Sequence, residues 1–327
     1  MSKPTTPSYT LSERSVHLIA QISELIGSIV VRQDMSANPR LRRDNRIKTI
    51  HASLAIENNT LSIEQVTAIV NGKRVLGAPS EIHEVKNAFD AYEHLLEFDP
   101  FSTADMLEAH QILMSGLTPE TGAFRSVGVG VFAEGRLVHM APPAELVPEL
   151  IYYLIGWAKG SEAHPLVVSA VFHYEFEFIH PFADGNGRLG RMWQTLILSQ
   201  WKPLFAWLPI ETLIRERQDD YYAVLKRSDS VGDSGIFIEF MLDTICDALN
   251  EVASTAQVKD QVAAQVRRIL EALGDEMLSA KEIMERLGLK HRQSFRALYL
   301  NPALDQGLID MTLPGKPTSS QQKYRRR

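Results

Sequence analysis

Between two stretches of helical apolar periodicity, 165–178 and 187–200, the chain reads His180-Pro181-Phe182-Ala183-Asp184-Gly185-Asn186-Gly187-Arg188-Leu189-Gly190-Arg191. A Gly-Asn-Gly turn feeding a helix leaves free backbone N–H groups and the positive end of the helix dipole facing outward, which is an anion site. Gly185 and Gly187 let the backbone turn tightly and approach an anion without a Cβ in the way. Arg188 and Arg191 are three apart and share a helical face, so both can offer forked, charge-assisted hydrogen bonds to one polyphosphate. Asp184 is the oxygen ligand type that Mg²⁺ prefers beside phosphates. His180 titrates near neutrality and can take a proton from a hydroxyl. Singly, each residue has an ordinary role: His180-Pro181 ends a helix and Asp184-Gly185 makes a turn. Together they fit transfer of a phosphorus centre to a hydroxyl.

The rest of the chain supplies a scaffold. Its 327 residues suffice for about two domains. With 45% hydrophobic and 23% charged residues it can bury a core and reads as globular. A net charge of -6 gives no global attraction to nucleic acid or membrane, although a local basic patch stays open. The single cysteine, Cys246, excludes an intrachain disulfide and fits a reducing cytoplasm. The start, MSKPTTPSYTLSERS, has no apolar stretch or cleavage signal, so no secretory leader is expected. No run of about 20 apolar residues is available for an ordinary membrane-spanning helix.

Residues 1–10, rich in Pro, Thr and Ser, read as a loose arm. Val16, Ile19, Ile22, Ile26 and Val30 recur at helical spacing over 11–31. Further helices are expected over 40–58, 62–71, 80–97 with Ser80 as N-cap, and 103–114 with Thr103 as cap. Gly122, Gly128, Gly130 and Gly135 then punctuate Val127, Val129, Val131 and Phe132, a hairpin signature closed by Pro142-Pro143. Helices resume over 145–158, 165–178 and 187–200, followed by 209–225 and 236–252, with a connecting helix over 253–265. The last unit reads as a helix at Ile269–Leu273, a second from Ser279 to Gly288, and a third from near His291 through Tyr299. Two strands follow, 308–313 and 322–325, which completes the layout of a winged helix-turn-helix. The expected fold is mainly α in three regions, 1–100, 101–252 and 253–327, without an internal repeat.

The central stretch resembles the signature of Fic-domain proteins, His-x-Phe-x-(Asp/Glu)-Gly-Asn-Gly-Arg-x-x-Arg, and meets it at His180, Phe182, Asp184, Gly185, Asn186, Gly187, Arg188 and Arg191. The likeness covers roughly residues 45–230. It implies a Fic-type helical bundle with a β-hairpin flap, and a protein adenylyltransferase that moves AMP from ATP to a Ser, Thr or Tyr hydroxyl of a target protein. It implies His180 as general base, Asp184 holding Mg²⁺, the Gly185–Gly187 turn cradling the α- and β-phosphates beside Arg188, Arg191 reaching the γ-phosphate, and Phe182 as buried anchor of the loop. It also implies a flap edge around Gly130, Val131 and Phe132 that pairs with the target's backbone by strand addition. Association as a homodimer is common in the family. Tyr221 and Tyr222 are candidates for the nucleoside pocket wall, although aromatics at helical spacing are more often core.

Ser53-Leu54-Ala55-Ile56-Glu57-Asn58 alone is a helix end with a solvated carboxylate. It resembles the family's inhibitory motif, (Ser/Thr)-x-x-x-Glu-(Gly/Asn), whose glutamate pairs with the second motif arginine. Here that implies Glu57 on Arg191, in the place of a γ-phosphate oxygen. In some relatives this glutamate also positions water for removal of AMP, so de-adenylylation or another nucleotide transfer remains an alternative. In the C-terminal unit, Lys290, His291, Arg292, Gln293 and Arg296 open the third helix, where Arg292 and Arg296 would meet DNA. Lys316, Lys323 and Arg325–Arg327 would decorate the wing and tail. Such units often serve instead as dimer or partner-docking modules, and a nucleotide-sensing DNA-binding regulator is the third reading. Leu298–Met311 also looks like the C-terminal region of some longer Fic proteins.

Overall fold

A computed structural model describes residues 6–32, 39–133, 136–317, 319 and 321–327. The chain is mainly helical and divides into two compact units, Met1–Asn250 and Glu251–Arg327.

In the first unit α1 spans Glu13–Arg32, α2 Pro39–Ile56, α3 Ile63–Val70, α4 Pro79–Glu93 and α5 Thr103–Met114. The buried seam of α1 runs through Ser15, Leu18, Ile22, Ile26 and Ile29, whereas Val16 is exposed; the apolar stripe is rotated by about one residue from the expected one. The Val30 side chain lies outside the described residues. So do residues 1–5 of the expected loose arm, but Ser8 and Thr10 are tied down. The Ser234 N–H donates to the Ser8 carbonyl at 3.0 Å, and the Thr10 N–H and hydroxyl both donate to Asp233 Oδ1 at 3.1 Å.

Two cap assignments are corrected. α4 begins at Pro79 with Ala78 as N-cap, because proline at the first helical position pre-sets φ and needs no N–H partner, so Ser80 lies inside the helix. That helix stops at Glu93, and 95–97 form a separate 3₁₀ turn. The cap of α5 is Ser102, whose Oγ accepts the Asp105 N–H at 3.2 Å, rather than Thr103.

The hairpin is shorter than the glycine pattern indicates: β1 is Gly130–Ala133 and β2 Arg136–Met140, antiparallel, with a bulge between Val131 and Phe132. Residues 122–129 form no strand. Helices α6 (Val147–Gly160), α7 (Pro165–Ile179) and α8 (Asn186–Trp201) follow. The expected 209–225 helix is two, α9 (Ile210–Glu216) and α10 (Gln218–Val231), broken at Arg217. The segments 236–252, 253–265 and 269–273 are one helix, α11 (Gly235–Leu273), because no Gly or Pro occurs between Ile236 and Leu273 to stop it.

One core joins Ile47, Ile50 and Leu54 of α2 to Phe172 and Phe176 of α7 and to Leu189, Met192, Trp193 and Leu196 of α8. α7 and α8 are buried on nearly every face, so the loop between them is held from both ends.

In the second unit β3 (Leu278–Ser279), α12 (Ala280–Leu287), α13 (Arg292–Phe295), a π-helical turn over 296–300, α14 (Asn301–Asp305), β4 (Ile309–Met311) and β5 (Lys323–Arg326) follow one another. The sheet has three strands in the order β3-β5-β4, all antiparallel, where two were expected; β3 is too short to leave a periodic signal. Ile269, Leu273, Ile283, Phe295, Tyr299, Leu300, Ile309 and Tyr324 form its core. Among the described residues, no helix is long and apolar enough to cross a membrane.

Candidate functional site

The loop between α7 and α8 is over-determined. His180 ends α7 in the left-handed region at φ 50°, and Gly185 enters α8 at φ 85°. A non-glycine residue at positive φ is costly on its own and persists only where its surroundings impose it. Phe182 is fully buried, with its ring stacked on His110 at 3.7 Å between centroids. The Asn186 side chain closes the loop in both directions: its Oδ1 accepts the Phe182 N–H, and its Nδ2 donates to the Phe182 carbonyl, each at 2.9 Å. Gly185 is favoured by its φ of 85°, and a Cβ there would lie 2.6 Å from Met114 Sδ, so the methionine side chain would have to shift.

His110 is buried with both ring nitrogens engaged. Nδ1 accepts the Gly122 N–H at 3.0 Å, so Nε2 carries the proton and donates to the Asp184 carbonyl at 3.0 Å. The His180 Nδ1 lies 3.3 Å from the Glu177 carbonyl. A carbonyl only accepts, so Nδ1 is the protonated nitrogen and the basic lone pair of the neutral ring is on Nε2.

The motif arginines are held apart by different carboxylates. Arg188 Nη2 donates to Asp184 Oδ1 at 3.0 Å, and its Nη1 lies 3.5 Å from Glu84 Oε1 on α4. Asp184 Oδ1 also accepts the Gly185 N–H at 2.6 Å, and the Asp184 side chain is 62% exposed. Arg191, with its side chain 1% exposed, turns to α2. Its Nη2 donates to Glu57 Oε1 at 2.8 Å and to the Ser53 carbonyl at 2.9 Å, and its Nε to Ser53 Oγ at 3.2 Å. Burial would depress the Arg191 pKa, but the facing Glu57 carboxylate, with Tyr221 and Glu177 beyond it, holds it above its ordinary value. A Cβ at Gly187 would collide with Glu57 Oε1 and come within 3.0 Å of Arg191 Nη1, so the glycine makes room for this pair.

Beside the pair opens a cavity of about 610 Å³ lined by Glu57, Glu177, His180, Gly187, Arg191 and Tyr222, among others. Tyr221 is buried, whereas Tyr222 is about half exposed. The structure thus brings His180, Gly187, Arg191, Glu57 and Tyr222 to one hollow. Ser53 stands behind Arg191, and the Asn186 side chain is committed to the loop. Gly130, Val131 and Phe132 lie on β1, and Arg292 and Arg296 belong to the second unit.

Sequence reasoning passed over His110, Arg125, Glu84, His173 and Glu177. His110 and His173 hide inside apolar helical stripes. Tyr221 donates its hydroxyl proton to His173 Nε2 at 3.0 Å, which leaves Nδ1–H to bond Gln194 Oε1 at 2.6 Å. Burial takes the His173 pKa down to about 3.

The geometry has known counterparts. The Fic/DOC family profile matches residues 100–198, and the profile described as filamentation induced by cAMP protein Fic-like, C-terminal domain, matches 264–326. A crystal structure of a Fic family protein from Desulfovibrio desulfuricans is 54% identical, covers 99% of this chain and 98% of that chain, and superposes with a TM-score of 0.77. This chain therefore belongs to the Fic family. Fic-1 from Caenorhabditis elegans has a solved structure 25% identical to it, covering 74% of this chain and 71% of that one, with a TM-score of 0.60. Among curated proteins, protein adenylyltransferase fic-1 of C. elegans is 29% identical over 251 residues, 72% of this chain and 46% of the relative. Protein adenylyltransferase Fic of Culex quinquefasciatus is 28% identical over 62% of this chain and 41% of its own. The chain spans less than half the length of these two curated relatives.

Glu177 gives the site a pH signature. Burial pushes its carboxyl up to about 7, with Arg191 opposing and Glu57 adding to the rise. Between its ordinary value of 4.5 and about 7 the folded chain holds a proton that the unfolded chain has released, so this group's contribution to stability falls as pH rises through that window. Glu175, also raised to about 7, acts in the same sense, whereas His173 removes stability as pH falls from 6.5 toward 3. Glu177→Gln removes only the first of these. Urea unfolding of wild type and variant should show the variant gaining, relative to wild type, on the order of 1–3 kcal/mol between about pH 5 and pH 8. A difference that is flat across that range would contradict the buried, protonated carboxyl.

Proposed function

We propose that this chain is a protein adenylyltransferase that transfers AMP from ATP to a Ser, Thr or Tyr hydroxyl of a target protein, and that Glu57 holds it in a self-inhibited state. The reading stands on the buried Arg191, about one and a half turns into the helix that the motif opens, bonded at 2.8 Å to a glutamate in the turn that ends α2. In this reading the His180 Nε2 takes the proton of the target hydroxyl, the oxygen attacks the α-phosphorus, and the bond to the β-phosphate oxygen breaks to release pyrophosphate. The backbone N–H groups at the start of α8 and the Arg188 and Arg191 guanidiniums meet the phosphate charge. Glu57 on Arg191 takes the γ-phosphate's partner, so ATP is bound only in an unproductive pose. The β1 edge at Gly130–Phe132 would register the target's backbone against His180. Tyr222 would border the nucleoside.

The residues present fit Mg²⁺. Both recorded bonds to the Asp184 carboxylate fall on Oδ1, and its side chain is largely exposed, so Oδ2 suits a hard cation. Mg²⁺ commonly takes one or two carboxylates and completes its shell with substrate phosphates and water, and Asp184 would be the carboxylate here. When bound, Mg²⁺ would neutralise developing charge between the phosphates. The functional division we assign is an inhibitory region in 1–100, a catalytic region in 101–252 and an accessory unit from 253. A cytoplasmic setting, argued from the single cysteine, and homodimer formation belong to the same reading.

Wild type, Glu57→Gly and Glu57→Gly/His180→Ala are incubated with α-labelled ATP and Mg²⁺, and label in protein is followed. The Glu57→Gly rate should exceed wild type by at least about tenfold, the value of one charge-assisted contact, and the double variant should fall to background. Equal labelling by wild type and Glu57→Gly would overturn the inhibitory role. Release of AMP from pre-labelled target by wild type, without forward labelling in any form, would favour the reverse reaction.

A second reading, DNA contact by the C-terminal unit as a winged helix, is favoured by the exposed run Lys290–Gln293 that opens α13 over buried Phe295. Arg292→Ala/Arg296→Ala should weaken duplex binding in a gel shift and lower its salt slope by about 2, one per phosphate contact. Binding that is absent at low salt would remove this reading.

A further inference from the structure

Arg125 lies between Gly122 and the hairpin and is 2% exposed. Its partners are all carbonyl oxygens. Nε donates to His180 O at 2.8 Å, Nη1 to Val127 O at 2.9 Å, and Nη2 to Pro142 O at 2.5 Å and Ile179 O at 3.3 Å. Its own N–H donates to Pro181 O at 3.0 Å. These partners come from three places. Ile179 and His180 carry orphan carbonyls at the C-terminus of α7, where the helix dipole is negative and a cation is favoured. Val127 leads into β1, and Pro142 leaves β2. The hairpin base is completed by the Ala141 N–H donating to Val129 O at 3.3 Å.

His180 needs such a partner. It is a non-glycine residue at φ 50° that precedes Pro181, a context that disfavours compact backbone conformations. Without a bond to its carbonyl, the peptide between His180 and Pro181 has less to hold it, and the imidazole would swing with it.

We propose that Arg125 is a positioning residue that fixes the backbone of His180 and both ends of the β1–β2 hairpin to one guanidinium, so that the base and the hairpin edge keep a common register. Its planar fork is suited to this, since one rigid group reaches carbonyls in several directions, and a lysine reaches them only one at a time. The hairpin then does not move relative to the base as an independent flap; displacing either breaks bonds to the same side chain.

The kinetic part of the test rests on the adenylyl-transfer reading, and the structural part does not. Amide hydrogen exchange of the unligated chain is measured for wild type, Arg125→Gln and Arg125→Lys, reading Ala141 at the hairpin base and Phe182 two residues past His180. Exchange at both amides should rise together by at least about tenfold in Arg125→Gln and less in Arg125→Lys. Unchanged exchange at both, or a rise at only one, would overturn the proposal. Should Arg125→Gln not fold, Arg125→Lys carries the same reading at the same two amides. In the Glu57→Gly background, Arg125→Gln should lower kcat for self-labelling from ATP by about 10²-fold, the cost of a displacement near 1 Å. The ATP Kd and binding stoichiometry should stay within about twofold of the parent, since a misplaced base does not change the phosphate contacts; Arg125→Lys should recover part of kcat. A fall in stoichiometry that matches the fall in rate would show loss of folded protein and overturn the positioning role. Absence of label in the Glu57→Gly parent itself would count against the transfer reading alone, with the exchange result still deciding Arg125.

Discussion

A guanidinium that is nearly inaccessible to water must have a partner, and Arg191 sets that demand inside the first unit. α2 and the turn that ends it meet that demand with three acceptors, the Ser53 carbonyl, the Ser53 hydroxyl and the Glu57 carboxylate. The same helix buries Ile47, Ile50 and Leu54 in the common core, so the carboxylate is delivered by packing rather than by a mobile tail. Gly187 leaves the space that Glu57 occupies. Under the proposed self-inhibition, the block on ATP would be a by-product of satisfying a buried charge. Any group that displaces Glu57 has to replace its charge-assisted bond, and the terminal phosphate of a nucleotide is an anion of that kind.

Around that pair the backbone is preorganised. His180 and Gly185 are held at positive φ by contacts from outside the loop: Asn186 across it, His110 beneath Phe182 and Asp184, and Arg125 from the segment that leads into the hairpin. None of these three side chains needs to meet substrate. Each fixes a carbonyl or N–H whose direction decides where His180, Asp184 and the open N–H groups of α8 point. Sites held in this way lose little reorganisation energy when charge develops.

The motif was legible because its chemistry is local: glycines, a base, a carboxylate and arginines within three turns of chain. The Ser53–Asn58 match was legible only beside that motif, since Glu57 alone is an ordinary helix-end carboxylate. The helices were visible in their apolar spacing, with errors where a single residue decides. Pro79 moved the start of α4, Ser102 took the cap from Thr103, and the lack of any Gly or Pro after Ile236 fused three expected segments into α11. Arg125, Glu84 and His173 were invisible because their roles exist only across the fold. Arg125 meets carbonyls of residues 127, 142, 179 and 180, and no spacing in the chain records such a meeting.

If Glu57 occupies the γ-phosphate's partner on Arg191, as proposed, nucleotide affinity will register it. Calorimetric titration of wild type and Glu57→Gly with ATP and with ADP isolates that phosphate. Wild type should bind ATP no more than about twofold more tightly than ADP, because Arg191 is already bonded. Glu57→Gly should prefer ATP by about tenfold or more, the worth of a charge-assisted bond to a buried arginine. An equal preference for ATP in both proteins would mean that Glu57 does not withhold Arg191 from the γ-phosphate.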